Sequence, residues 1–371
     1  MASARTFVED LLKKADIQIG GTRPQDITVH DERLFNRVIR YGTLGLGEAY
    51  MDGWWDANAL DETVYRFVKV GGEKRVAKTF LRLLRSLRSR IFNIQNKIGA
   101  RKVATQHYDL DNDLYMSFLD PYNQYTCGYF KGTDNLNVAQ EQKLELICQK
   151  LQLKKSDRVL DIGCGWGGFA KWAAERYGCH ITGISISDEQ IKFAKEFTKG
   201  LPVEIVKSDY RDIVGTYDKV LSIGMFEHVG YKNYKTYFKI VDSVLKPDGL
   251  SLLHTIGRLT PVTINDPWFE RYIFPNSMLP TVDQTGKATE GFFVMEDWHN
   301  FGADYDKTLM EWFKNFESAW PNLKAKYDER FYRMWKYYLL SCAGAFRARE
   351  MQLWQIVLSK NGVKGGYTSV R

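Results

Sequence analysis

Residues 158–190 read RVLDIGCGWGGFAKWAAERYGCHITGISISDEQ, and this stretch decides the fold. RVLDIG and HITGISIS are short runs rich in β-branched residues, and GGFAKWAAERYG between them has helical spacing. The alternation continues on both sides. EQKLELICQKLQL precedes it as a helix, and SDEQIKFAKEFTKG follows as a helix ending at Gly200. VEIVKSD, YDKVLSIG and LSLLHTIG read as strands, with NYKTYFKIVDSVLKPDG as the helix before the last. Five such steps predict an α/β, doubly wound, mostly parallel sheet with helices on both faces. Helices over 307–319 and 324–344 and a strand LWQIVLS are expected to close it. Residues 258–300 are Pro- and aromatic-rich. They are expected outside the sheet core, as a lid or substrate-specific insertion.

The turn Asp161-Ile-Gly-Cys-Gly-Trp-Gly-Gly168 joins a strand to a helix. Glycines there let backbone approach a ligand, and the helix N-terminus offers free N–H groups to it. Dinucleotide enzymes and S-adenosylmethionine (SAM) methyltransferases share this device. Here the glycines run GxGxGG, not GxGxxG, and the second strand ends in Ser185-Ile-Ser187 with no carboxylate until Asp188. A nicotinamide site wants an acid there. The pattern favours SAM over a nicotinamide or flavin, with a purely structural turn as the remaining reading. Ser187 and Gln190 fit a capping box that opens the next helix, although Gln190 could also reach a cofactor. Asp209-Tyr210-Arg211 follows the third strand, where methyltransferases of this fold hold adenine.

Residues 1–72 read as a small α/β domain, with a helix over 6–16 and a short strand ITVHD, ending at Gly71-Gly72. Residues 74–102 then hold ten Lys or Arg and no Asp or Glu. Without that block the chain has 42 basic against 45 acidic residues, so its excess of positive charge, +7 overall, is one segment. Phe80, Leu84, Leu87, Ile91, Ile94 and Ile98 form a helical stripe flanked by Lys78, Arg82, Arg85 and Arg88. A basic amphipathic helix of this kind suits an anionic membrane surface, an ordinary docked helix or a nucleic acid. The division is therefore 1–72, a basic helix or linker over 73–103, and a catalytic domain over 104–371 with its insertion at 258–300.

Composition excludes several classes. With 44% hydrophobic and 26% charged residues the chain is ordinary for a globular protein. No run approaches the length of a transmembrane helix, and MASARTFVEDLLKKADI lacks an apolar signal core, so a cytoplasmic location is expected. Five scattered cysteines without a CxxC pair argue against a disulfide framework or a zinc ribbon. No metal site is expected.

Several strings in order resemble the bacterial cyclopropane-fatty-acyl-phospholipid synthase family. They are GTLGLGEAYMDGWW (42–55), HYDLDNDLY (107–115), LDPYNQYTCGYF (119–130), VLDIGCGWGG (159–168), SIGMFEHVG (222–230), LLHTIG (252–257), EDWHNFGADYD (296–306) and CAGAFRAR (342–349). The mycolic-acid cyclopropane synthases are similar over the catalytic part but lack the amino-terminal domain. The resemblance implies a class I SAM-methyltransferase, Rossmann-like, that transfers the SAM methyl to a cis double bond of a phospholipid acyl chain and closes a ring by proton loss. It implies a bicarbonate site at Cys127, Glu227, His254, Ile256 and Tyr305. It places SAM contacts on Tyr125, Thr126, the 161–169 loop (Asp161, Gly163, Cys164, Gly165, Trp166 and Gly167 among them), Ser185, Gln190, Tyr210 and Arg211. It also implies a homodimer at the inner membrane face, no nucleic-acid partner, and membrane docking as the leading reading of residues 74–102.

The chemistry suits these residue types. An alkene is a poor nucleophile, so positioning and water exclusion dominate. Methyl transfer leaves a carbocation, which aromatic faces stabilise without attacking and a weak, well-placed base can deprotonate. Glu227 and His254 at the carboxyl ends of adjacent strands stand where such sheets bind ligands. Taken alone, Cys127 reads as a buried structural thiol and His228 as a packing histidine, while His107 and His299 stay open. A lipid methyltransferase leaving a methyl branch is the nearest alternative. A nucleic-acid methyltransferase would need an NPPY-like or Cys-Pro element, and a non-catalytic SAM-binding module would not need Glu227, His254 and Tyr305 together.

Overall fold

A computed structural model describes residues 4–72, 112–262 and 264–371. The basic segment 74–102 and His107 lie outside the described residues. The chain forms two compact units, each discontinuous in sequence.

The first unit takes Met1–Asn93, Val262–Pro275 and Tyr305–Met351. It holds α1 (Ala4–Lys14), β1 (Ile27–Val29), α2 (Arg33–Tyr41), α3 (Thr43–Met51), β2 (Trp55–Ala57) and α4 (Leu60–Lys69). β1 and β2 pair antiparallel, Ile27 opposite Ala57. The predicted early helix and strand are thus present. The sequence-distant helices of this unit are α10 (Pro267–Tyr272), most of α12 (Asp304–Leu323) and α13 (Glu329–Arg347). Close packing explains two glycines: a side chain at Gly47 would overlap the buried Trp268 ring, and one at Gly344 would overlap the Asp61 carbonyl.

The second unit takes Ile94–Pro261, Asn276–Asp304 and Gln352–Arg371. α5 (Asn112–Met116) and α6 (Leu136–Lys150) lead into β3 (Arg158–Ile162), α7 (Gly168–Tyr177), β4 (His180–Ser185), α8 (Asp188–Phe197), β5 (Val203–Lys207) and β6 (Tyr217–Ile223). α9 (Tyr234–Val244), β7 (Leu245–Arg258), α11 (Val282–Thr289), β8 (Val294–Asn300) and β9 (Met351–Ser359) complete it. The seven strands run β5-β4-β3-β6-β7-β9-β8. β5, β4, β3, β6 and β7 are parallel, and β8 pairs antiparallel with β9. This is the predicted mostly parallel sheet.

Alternation along each strand feeds a core on either face. Val159, Leu221, Leu252 and Val357 pack with Leu144, Ile147, Phe169 and Trp172. Their neighbours Leu160, Val220, Leu253 and Ile356 pack with Phe226, Tyr237, Phe238 and Val241.

The expectation for 258–300 needs correction. Residues 294–300 are β8, the edge strand beside β9, and 267–272 and 282–289 are helical. The antiparallel partner β9 lies more than fifty residues away in the chain, so local pattern carried no sign of it. The stretch is also divided, with Val262–Pro275 in the first unit and Asn276–Asp304 in the second.

Candidate active site

β3 brings Asp161 to the carboxyl edge of the sheet, and the chain then turns into α7. Gly163, Gly165 and Gly167 have φ of +83°, +55° and +83°, a region other residues enter at a cost. A Cβ on Gly163 would stand 2.7 Å from Met225 Cβ. A Cβ on Gly165 would meet no described atom within 4 Å, so open space lies against the backbone at the entrance to α7. Asp161 is buried, and its Oδ1 has no hydrogen-bond partner among the described residues. Burial pushes this carboxyl up to about 7, against the pull of Lys143. A glycine turn open at Gly165 and a buried acceptor with spare capacity fit a cationic cofactor. Cys164 is buried and burial raises its thiol well above the ordinary value, so it packs rather than reacts.

The end of β4 differs in detail from the expected capping box. Ser187 Oγ accepts the Gln190 N–H at 3.4 Å, as a cap should. The Gln190 side chain does not return to the Ser187 N–H. That N–H donates to Ser185 Oγ at 3.2 Å, and Ser185 Oγ donates to Gln190 Oε1 at 3.1 Å. Ser185 and Gln190 are thus tied together under the loop. Tyr210 and Arg211 follow β5, where Asp209 accepts from the Arg211 backbone at 3.0 Å and from Nε and Nη2 at 2.7 Å each. The Tyr210 ring lies 5.6 Å from Tyr237, and its buried hydroxyl has no partner among the described residues. Tyr125 and Trp166 both pack against Tyr115, at 5.1 and 5.0 Å, and Trp166 Nε1 donates to Asn112 Oδ1.

The second cluster sits where β6 and β7 end. Glu227 follows β6 in a short 3₁₀ turn, and its Oε1 accepts the Ile256 N–H at 2.7 Å. Its Oε2 is buried without a partner among the described residues, and burial pushes the carboxyl up to about 7. His254 lies in β7, in register with Ile223. Gln355 Nε2 on β9 stands 3.3 Å from His254 Nδ1, within hydrogen-bond reach. That Nε2 is also buried with no partner among the described residues. Burial pushes His254 well below its ordinary value, so the ring is neutral. One ring nitrogen and one carboxyl oxygen thus stand unsatisfied among the described residues, at the edge of the sheet where open α/β folds hold ligands. Cys127 is buried, with Sγ donating to the Gly128 carbonyl at 3.2 Å. Thr126, beside it, packs at Gly224, where a Cβ would stand 2.8 Å from Thr126 Cγ2; the Gly224 N–H donates to the His254 carbonyl at 2.9 Å.

Tyr305 belongs to the first unit, buried on α12 against Phe346 at 4.4 Å. His228 and His299 are both held neutral by burial, at about 4. His299 Nδ1 meets the buried Lys150 Nζ at 3.1 Å, a structural contact.

Sequence reasoning passed over Gln124, Gln140, Lys143 and Gln355. Lys143 is buried, and its Nζ donates to Gln124 Oε1 and, at 3.0 Å, to Thr126 Oγ1. Gln140 Nε2 donates to the Thr126 carbonyl at 2.8 Å. The available signal was polar residues on the apolar stripe of α6, since 140, 143, 147 and 150 share one helix face.

The chain matches the family described as mycolic acid cyclopropane synthetase over residues 95–356. It belongs to that family. The cyclopropane-fatty-acyl-phospholipid synthase of Escherichia coli (strain K12) is 52% identical over 98% of this chain and 95% of that protein. The tuberculostearic acid methyltransferase of Mycobacterium tuberculosis is 31% identical over 92% of this chain and 84% of that one. Among solved structures, a mycolic acid cyclopropane synthase complexed with SAH and CTAB superposes with a TM-score of 0.65 at 29% identity, covering 70% of this chain and 98% of that one. Membership in the cyclopropane synthetase family makes the protein an enzyme, a SAM-dependent methyltransferase of the class I fold.

Proposed function

We propose that this enzyme cyclopropanates unsaturated acyl chains of membrane phospholipids, with bicarbonate as the base. The observation that carries the site is the pair of unsatisfied buried atoms, Glu227 Oε2 and His254 Nε2. The near full-length likeness to a cyclopropane-fatty-acyl-phospholipid synthase supports the substrate class.

The residues for SAM are the 161–167 loop, Ser185, Gln190, Tyr210 and Arg211 with Tyr125 and Thr126. Bound there, SAM supplies an electrophilic methyl. Asp161 offers a buried acceptor, and Gly165 lets backbone stand against the ligand. Bicarbonate would be held by a hydrogen bond from His254 Nε2–H and by Glu227 Oε2 accepting a hydrogen bond from the anion's own O–H. A carboxylate ordinarily repels an anion, but an anion that carries its own proton can pair with it. Gln355 stands against the His254 ring, while Ile256 N–H fixes Glu227. Cys127 completes the proposed anion set within the second unit. Bicarbonate there would supply a weak base next to the developing cation.

The enzyme works at the bilayer surface as a homodimer, with residues 74–102 as the anionic-lipid contact. No helix among the described residues is long and apolar enough to cross a membrane. The test is incubation with SAM and unsaturated phospholipid vesicles, with and without bicarbonate. A gain of one CH₂ with loss of the double bond supports the reading. Untouched lipid, or a methyl branch without a ring, overturns it.

A further inference from the structure

We infer that Lys143 is a positioning residue that clamps the Gln124–Cys127 segment between the cofactor loop and the ends of β6 and β7. The inference rests on the proposed reading of that segment as a wall of both pockets. Lys143 comes from the middle of α6, away from the sheet edge, yet its ammonium reaches two side chains two residues apart, Gln124 Oε1 and Thr126 Oγ1. Each partner touches one half of the site. A Cβ on Gly168, the first residue of α7, would overlap the Tyr122 carbonyl and stand against Gln124 Nε2, which donates to that carbonyl at 3.0 Å. Thr126 packs against Gly224, whose N–H holds the His254 strand.

A lysine is a costly way to fill a core, because burying its charge opposes folding. Here burial pulls the ammonium down to about 7, against Asp120, Cys127 and Asp161. The return is geometric. By donating to Thr126 Oγ1, Lys143 occupies an acceptor site of that hydroxyl and leaves its proton free to point elsewhere. Gln140 fixes the Thr126 carbonyl from one helical turn away, so α6 grips the residue at both ends.

The experiment measures SAM binding by calorimetry without lipid, together with KM and kcat on vesicles and a thermal midpoint, for Lys143→Met, Thr126→Val and the double variant. Loss of charge-assisted donation predicts a SAM Kd raised about 10- to 100-fold in Lys143→Met, with KM for SAM rising in step. The double variant should fall short of the product of the two single effects, since both remove the Lys143–Thr126 contact. A lysine that only stabilised the fold would lower the thermal midpoint and the active fraction and leave Kd and KM as in the wild type, which overturns the inference. Independent, multiplying effects in the double variant overturn it as well. If Lys143→Met does not fold, Thr126→Val with wild-type SAM affinity overturns it alone. Wild-type enzyme that leaves lipid untouched would defeat the proposed function instead, while the calorimetry would still judge Lys143.

Discussion

The two halves of the site are built in opposite ways. The cofactor loop is local: Asp161 to Gly168 are consecutive, and three glycines at positive φ set its shape. The proposed anion pocket is assembled from afar. Glu227 comes from the turn after β6, His254 from β7 and Gln355 from β9, the last two 101 positions apart. It exists because β9 inserts between β7 and β8. A loop of consecutive residues is therefore vulnerable to backbone change, and a pocket of distant side chains to loss of single polar atoms.

The largest effect is expected at the loop. Gly165→Val forces a β-branched residue into φ of +55° and fills the space beside the backbone. SAM affinity should drop by about 100-fold or more in calorimetry, with the fold retained, because no described protein atom blocks the new side chain. Undiminished binding would mean that the open space at Gly165 faces something other than the cofactor.

Next comes Glu227→Gln, which keeps the shape and Ile256 contact but exchanges an acceptor oxygen for a donor. We expect kcat to fall about 10- to 100-fold while SAM binding stays near wild type. Carefully degassed wild-type enzyme should slow and recover on added bicarbonate, and the variant should need more. Wild-type activity indifferent to bicarbonate with a dead variant would make Glu227 the direct base. Equal loss of SAM binding in Gly165→Val and Glu227→Gln would erase the division between loop and pocket.

The same residue predicts a pH effect on stability. Burial raises the Glu227 carboxyl from 4.5 in the unfolded chain to about 7 in the fold. As pH rises from 4.5 to 7 the unfolded state releases the proton first, so this residue's contribution to stability is lost across that window. The Gln variant lacks the titration. Its stability relative to wild type should climb by about 2 kcal/mol between pH 4.5 and 7 in denaturant titrations. A difference independent of pH would place Glu227 in a wetter environment than its burial indicates.

The smallest effect sharpens the loop side. Ser187→Ala removes the cap of α8 and should cost about 1 kcal/mol of stability. Because Gln190 is held by Ser185 rather than by the cap, SAM affinity should change by less than about threefold. A larger loss would show that the cap itself aligns Gln190.

Much of the fold was legible because its signals are local. The β–α alternation from 158 onward announced the parallel sheet, since strands buried on both faces are continuous apolar runs. The glycine spacing announced the cofactor turn for the same reason. β8 escaped notice because Val294–Asn300 is an edge strand whose exposed residues, Val294 and Met295 among them, blur its alternation. The Gln190 contact escaped because Ser187 and Gln190, three apart, read as a capping box, whereas the Gln190 side chain is taken by Ser185, five residues back.

By itself the sequence determined the parallel sheet, the glycine turn after β3 and the chemical types at the ends of β6 and β7, because backbone conformation and hydrophobic period are properties of neighbouring residues. Only the tertiary structure decided which polar atoms are satisfied. It pairs Gln355 with His254, gives Ile256 N–H to Glu227, and sends Lys143 from α6 to Gln124 and Thr126. Those choices depend on which strands and helices meet across long stretches of chain. In a buried, weakly screened interior they also set which groups stay neutral and which remain free to hold a ligand.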